Sequence, residues 1–183
     1  MSPTSIVILV IAVLVIIGIV FMVLRSRQRE RLKDHFGAEY EHQVEAAGGS
    51  KAKAEAELLK REKRVEKLDI RPLPREERDR FADEWQQVQA RFVDDPERSI
   101  ALADALVAEV MRARGYPVQD FEQRAADISV EHPKVVENYR AAHEIAVRHS
   151  KGKAGTEDLR SALLGYRSLF DELLGADQPE LAH

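Results

Sequence analysis

The chain has 183 residues, with 28 Lys and Arg against 32 Asp and Glu, a formal charge of −4, and no Cys. Without thiols there can be no disulfide scaffold, thiolate metal site or cysteine catalysis, and the acidic balance excludes a basic nucleic-acid binder by composition. The mean hydropathy of −0.37 averages two very different parts.

The first part is an anchor. Residues 6–24, IVILVIAVLVIIGIVFMVL, are apolar throughout, and residues 1–24 carry no Asp, Glu, Lys or Arg. A helix of that length rises about 28 Å, close to the ~30 Å hydrocarbon core of a bilayer. Only a helix pairs all its backbone groups inside lipid. A cleavable signal would have a basic start, a shorter apolar run and a small-x-small cleavage site. Here the start is MSPTS and the run ends Met22-Val23-Leu24-Arg25. The sequence therefore predicts an uncleaved transmembrane anchor in residues 1–24, contacting the bilayer through 6–24. Arg25, Arg27, Arg29, Arg31 and Lys33 follow the span and nothing basic precedes it. Basic flanks stay on the cytoplasmic side, so the expected topology is N-terminus outside and C-terminal part cytoplasmic. The same five side chains are candidate contacts for anionic lipid headgroups. Ala12 and Gly18 stand six apart, so the span has no small-xxx-small dimer face.

Residues 25–73 read as a charged helical stalk with a break at 48–50, Gly48-Gly49-Ser50. Before the break, Leu32, Phe36, Tyr40 and Val44 recur at steps of four, a narrow apolar stripe. After it, Lys51–Leu68 is rich in strong helix formers, and Glu57 and Arg61 are spaced for a favourable i,i+4 pair. The stripe is too thin to satisfy itself, which leaves homo-oligomerisation through the stalk open. Pro72 and Pro74 stop the helix.

Residues 74–175 read as an α-helical bundle of four main helices. The first, about 74–93, carries Phe81, Trp85, Val88 and Phe92 on one face. The second, about 96–114, has Asp95 as N-cap, Pro96 at its first position and Gly115 as its stop. A short helix follows at about 120–128. The third main helix, about 133–148, again opens on Pro, and the fourth starts at a Thr156 cap and ends at Gly175. The tail, 176–183, is expected to be disordered. Charge divides along the same line: residues 25–80 sum to +3 and residues 81–183 to −7. No window alternates with period two, so the expected fold class is all-α, a helical bundle on a stalk and a single anchor.

Several strings occur together in order: RLKDHFGAEY, RFVDDP, MRARGYPV, FEQRAADISVEHP, VENYR, TEDLR and YRSLFDELL. Together with the N-terminal span they resemble a family of small single-pass bacterial membrane proteins to which no activity is assigned. The resemblance covers nearly the whole chain. It implies the bacterial cytoplasmic membrane and transfers no cofactor or site residue.

Candidate chemistry is sparse. His35, Glu39 and His42 share one helical face, a lone Glu-x-x-His where a di-iron bundle needs two copies and two further Glu. His132 stands beside a helix start, where it could act as a cap, meet a carboxylate or serve as a general base. His143 lies on a core-facing stripe and is expected to hold a hydrogen-bond partner. There is no phosphate-binding glycine motif and no G-x-S-x-G. The interleaved acids and bases of Arg61–Lys67 cancel one another's field, which argues against nucleic-acid binding. No residue is assigned a catalytic, cofactor-binding or metal-ligating role. The expected function is a membrane-anchored cytoplasmic bundle that acts as a non-enzymatic interaction or scaffold module for a protein partner. The alternative is a metal-binding or enzymatic bundle using His132 or the Glu39/His42 face.

Overall fold

In a computed structural model of the chain, the backbone is described for residues 3–175 and the side chains for residues 13–175. Eight helices make up the described residues, with no strand among them: α1 Pro3–Phe36, α2 Ala38–Ala46, α3 Lys51–Val65, α4 Arg75–Arg91, α5 Pro96–Arg114, α6 Phe121–Glu131, α7 Pro133–His149 and α8 Thr156–Gly175. The all-α class is thus as expected. The tail 176–183 and its His183 lie outside the described residues.

The apolar run and the first basic residues form one helix. α1 has 34 residues, a length of about 51 Å. Its large apolar residues from Val13 to Leu24 are 44–72% exposed. Among the described residues no helix is long and apolar enough to cross a membrane. The expected span 6–24 falls partly on side chains outside that set. Gly37 ends α1 at φ +53°, a left-handed conformation that costs glycine little, and α2 begins at Ala38.

The bundle core is built by α4, α5, α7 and α8, with α6 laid on α7. Its buried side chains include Phe81, Trp85 and Val88 of the expected α4 stripe, whose Phe92 is only partly buried, with Ile100, Ala103 and Val107 from α5, Tyr139 from α7, and Tyr166 and Phe170 from α8. Trp85 and Phe170 stack at 4.6 Å. α7 and α8 approach closely at Gly165, where a Cβ would lie 2.5 Å from the Asn138 carbonyl oxygen. The Asp95 carboxylate accepts from the Arg98 N–H at 3.1 Å, as expected of its N-cap. Asp120, expected as the first residue of the short helix, is its cap instead and accepts from the Gln123 N–H at 2.8 Å. At α8 the expected Thr156 cap is replaced. Thr156 is already helical, and Asp158 reaches back to accept from the Gly155 N–H at 2.8 Å.

The segment 25–73 does not stand clear of the bundle. Leu32, Phe36, Tyr40 and Val44 bury themselves against Ala54 and Leu58, a second small core to which Val130 of α6 adds an edge. The stripe is therefore covered within the chain. The link after α3 is also fastened: Leu73 is buried, and the Arg71 N–H donates to the Arg114 carbonyl at 2.8 Å. The expected Glu57–Arg61 pair does not form. Arg61 turns inward to Glu39, and Glu57 takes Lys60 instead.

Candidate functional site

Three places concentrate chemistry. The first is the end of the apolar run in α1. Arg25 and Arg27 are exposed and have no ion-pair partner among the described residues. The next two are engaged. Arg29 donates to Glu55 at 2.6 Å, and Arg31 grips Glu62 through both terminal nitrogens at 2.7 and 3.1 Å. The hydrogen bond and the field of Glu55 hold the Arg29 pKa above its usual value. Lys33 lies 5.4 Å from the Tyr40 ring centre, within cation–π range. Of the five basic residues expected to meet headgroups, Arg25 and Arg27 are thus the two left unengaged among the described residues.

The second place joins α1–α3 to the bundle. Glu39 is 2% exposed. Its Oε1 accepts from Arg61 at 2.7 Å and from Arg140 at 3.0 Å, and its Oε2 accepts from the Arg140 Nε at 3.0 Å. Arg140 also donates to Glu122 at 2.8 Å, and Arg61 to Gln43 and to Ser129. Burial opposes the Arg140 charge, but the hydrogen bonds and fields of Glu39 and Glu122 outweigh it, so the Arg140 pKa lies above normal. Beside this cluster Arg64 pairs with the fully buried Asp127 at 2.6 Å, and Gln123 donates to both Asp127 oxygens. His35 donates through Nε2 to the Val130 carbonyl at 2.8 Å.

This arrangement redistributes the sequence candidates. His35, Glu39 and His42 do not converge: His35 faces α6, the Glu39 oxygens serve two guanidinium groups, and His42 is 3.9 Å from Glu39. Among the described residues no group of three or more His, Asp and Glu is placed to hold a metal ion. His132 closes α6 and opens α7, and its Nδ1 meets Glu172 at 3.1 Å, so it finds the carboxylate that its position suggested.

The third place is a cleft of about 370 Å³ between α5, α7 and α8. Asp104, His143 and Tyr166 line it, with an apolar wall that includes Ile100, Val147 and Leu159. Among the described residues His143 makes no hydrogen bond, although one is expected of it. Its ring lies flat on Phe121 at 3.6 Å instead. Burial lowers the His143 pKa, with Asp104 pulling the other way, so the neutral ring is favoured. Asp104 is held from behind by Arg124, at 3.2 Å to each oxygen, and Tyr139 lies 3.5 Å from Oδ1. Burial, then the field of Asp104, pushes the Tyr139 and Tyr166 phenols well above their ordinary range, so both stay protonated.

No protein family, curated protein or solved structure matches the chain. Function is therefore read from geometry. The sequence pattern missed the ion-pair cluster and the cleft alike. Arg61, Arg64 and Arg140 look like solvated helix positions until their partners on other helices are known. Asp104 follows a core alanine by one residue, and this polar residue at the edge of an apolar stripe was the available hint.

Proposed function

We propose that this protein is a single-pass module of the bacterial cytoplasmic membrane, N-terminus outside, whose cytoplasmic helical bundle serves as a non-enzymatic interaction or scaffold unit for a protein partner. The observation that carries the reading is the exposure of Val13–Leu24 around the whole circumference of α1. Water penalises such apolar area by roughly 25 cal/mol per Å², and lipid does not. The apolar run ends where Arg25 and Arg27 begin, and both guanidinium groups are unpaired among the described residues, which suits an anionic headgroup layer. The resemblance to single-pass bacterial proteins points the same way.

The ion pairs around Glu39 give the anchor a mechanical meaning. α1 continues 12 residues beyond Leu24 and ends against α2 and α3, and these are tied to α6 and α7 through buried charges. A partner therefore meets a bundle surface held in a fixed attitude to the bilayer. The direct test is carbonate extraction of membranes carrying the full chain. The protein stays in the pellet. Changing Ile16 and Ile17 both to Arg, at about 2.5–3.5 kcal/mol each in mid-span, moves it to the supernatant. Wild-type protein released by carbonate would overturn the anchor. Cross-linking in intact cells from Glu109, an exposed position on α5, yields a discrete hetero-adduct, and recovery of the monomer alone would count against the scaffold role.

A further inference from the structure

The cleft between α5, α7 and α8 has a feature that the core does not require. Tyr166 is 1% exposed and lines the cleft. Its hydroxyl makes no hydrogen bond among the described residues, and since its oxygen is not one of the fully enclosed unpartnered atoms, it opens onto the cleft. Buried phenols usually find a partner, and here the cleft is the place from which one can come. The His143 ring nitrogens are likewise unpaired among the described residues, and the Asp104 side chain keeps 29% of its surface open beside its bond to Arg124. A phenol oxygen, a neutral imidazole and a carboxylate thus line one recess. All three can accept a hydrogen bond.

The lining also fixes the charge of a guest. It contains two carboxylates, Asp104 and Glu97, two histidines, His143 and His149, and no Lys or Arg. His149 lies 3.6 Å from Glu97, and Arg124 holds Asp104. At both His143 and Tyr166 the field of Asp104 outweighs that of Arg124, so an anion there would enter a field of its own sign. A cation would be drawn in, and the wall of Ile100, Ala101, Val147 and Leu159 would cover an apolar body. A volume of about 370 Å³ is at the small end of ligand pockets. We propose that the α5/α7/α8 cleft binds a small primary alkylammonium ligand, with its three N–H donors shared among Tyr166, His143 and Asp104 and its hydrocarbon part against Ile100 and Leu159. This would be a ligand-sensing function additional to scaffolding, and it does not depend on the anchor.

The test uses the full chain in lipid nanodiscs and three isosteric probes: cyclohexylammonium, cyclohexanol and cyclohexanecarboxylate. Binding is read by ligand-observed NMR. The ammonium binds with a Kd on the order of 1 mM, as suits so few atoms. The alcohol binds at least about tenfold more weakly and the carboxylate not at all. Ala101→Trp, at an exposed lining position, fills the cleft and abolishes binding while the helical circular dichroism is kept. Tyr166→Phe weakens the ammonium several-fold without lowering stability, because the lost hydroxyl has no partner among the described residues. No ammonium binding at about ten times that concentration would overturn the proposal. So would equal binding of all three probes, or binding that both variants leave unchanged.

Discussion

Single residues set several limits on this fold, and Gly115 is the tightest. It ends α5 at φ +101°, and a Cβ there would sit 2.3 Å from the Asp69 carbonyl oxygen. Left-handed backbone costs an L-residue about 1–2 kcal/mol, and the clash is with backbone that a rotamer change cannot relieve. Gly115→Ala is therefore expected to cost more than about 2 kcal/mol. The sole tryptophan, Trp85, is buried against Phe170 and reports unfolding in urea. A change under about 0.5 kcal/mol, typical of an indifferent surface site, would contradict this. His143 sets a different limit. Burial lowers its folded pKa below the unfolded value, against the pull of Asp104. The unfolded state then binds the proton more readily, so the neutral ring's contribution is complete above about pH 6.5 and falls away as pH drops toward the folded value. The groups acting on it are Asp104, Arg124 and Glu122. Between pH 7.5 and 5.5, His143→Gln is expected to flatten the decline of stability, and an unchanged slope would contradict the assignment.

At the scale of elements, the sequence was readable wherever one residue type has one local use. Asp95, Pro96 and Gly115 bracket α5 at the expected positions. The apolar stripes of α4, α5, α7 and α8 all turned inward, since burial of a continuous stripe has few alternatives. The docking of α2 and α3 onto α6 and α7 was not readable. It is made by Glu39, Arg61, Arg64, Asp127 and Arg140, and charged side chains on a helix usually face water. Only three-dimensional pairing separates a clamp from a solvated face. The cleft escaped for the same reason, because its polar groups come from separate helices. The clamp has a clear signature. Arg140→Ala leaves Glu39 buried with one guanidinium partner in place of two, a change that costs about 3 kcal/mol when a buried ion pair is broken. Hydrogen exchange should then quicken in α2 and α3, while α5 and α8, whose core is apolar, keep their protection. Uniform loss across all helices, or no change, would show that the ion pairs do not join two separable packing units.

At the scale of the whole molecule, the charge of −4 resolves into a basic part and an acidic part, +3 over residues 25–80 and −7 over 81–183. In the proposed setting the basic part lies beside anionic lipid and the acidic part is held off it. α1 is expected to carry the bundle as one rigid piece, clamped through Glu39, and not merely to tether it. The chain's lack of Cys makes paired labelling clean. Spin labels at Ser26→Cys and Ser161→Cys, both at exposed sites, report the distance between α1 and the bundle by electron double resonance in nanodiscs. A single narrow distribution is expected, and Arg140→Ala broadens it. A broad distribution in the unmutated background would contradict the rigid clamp.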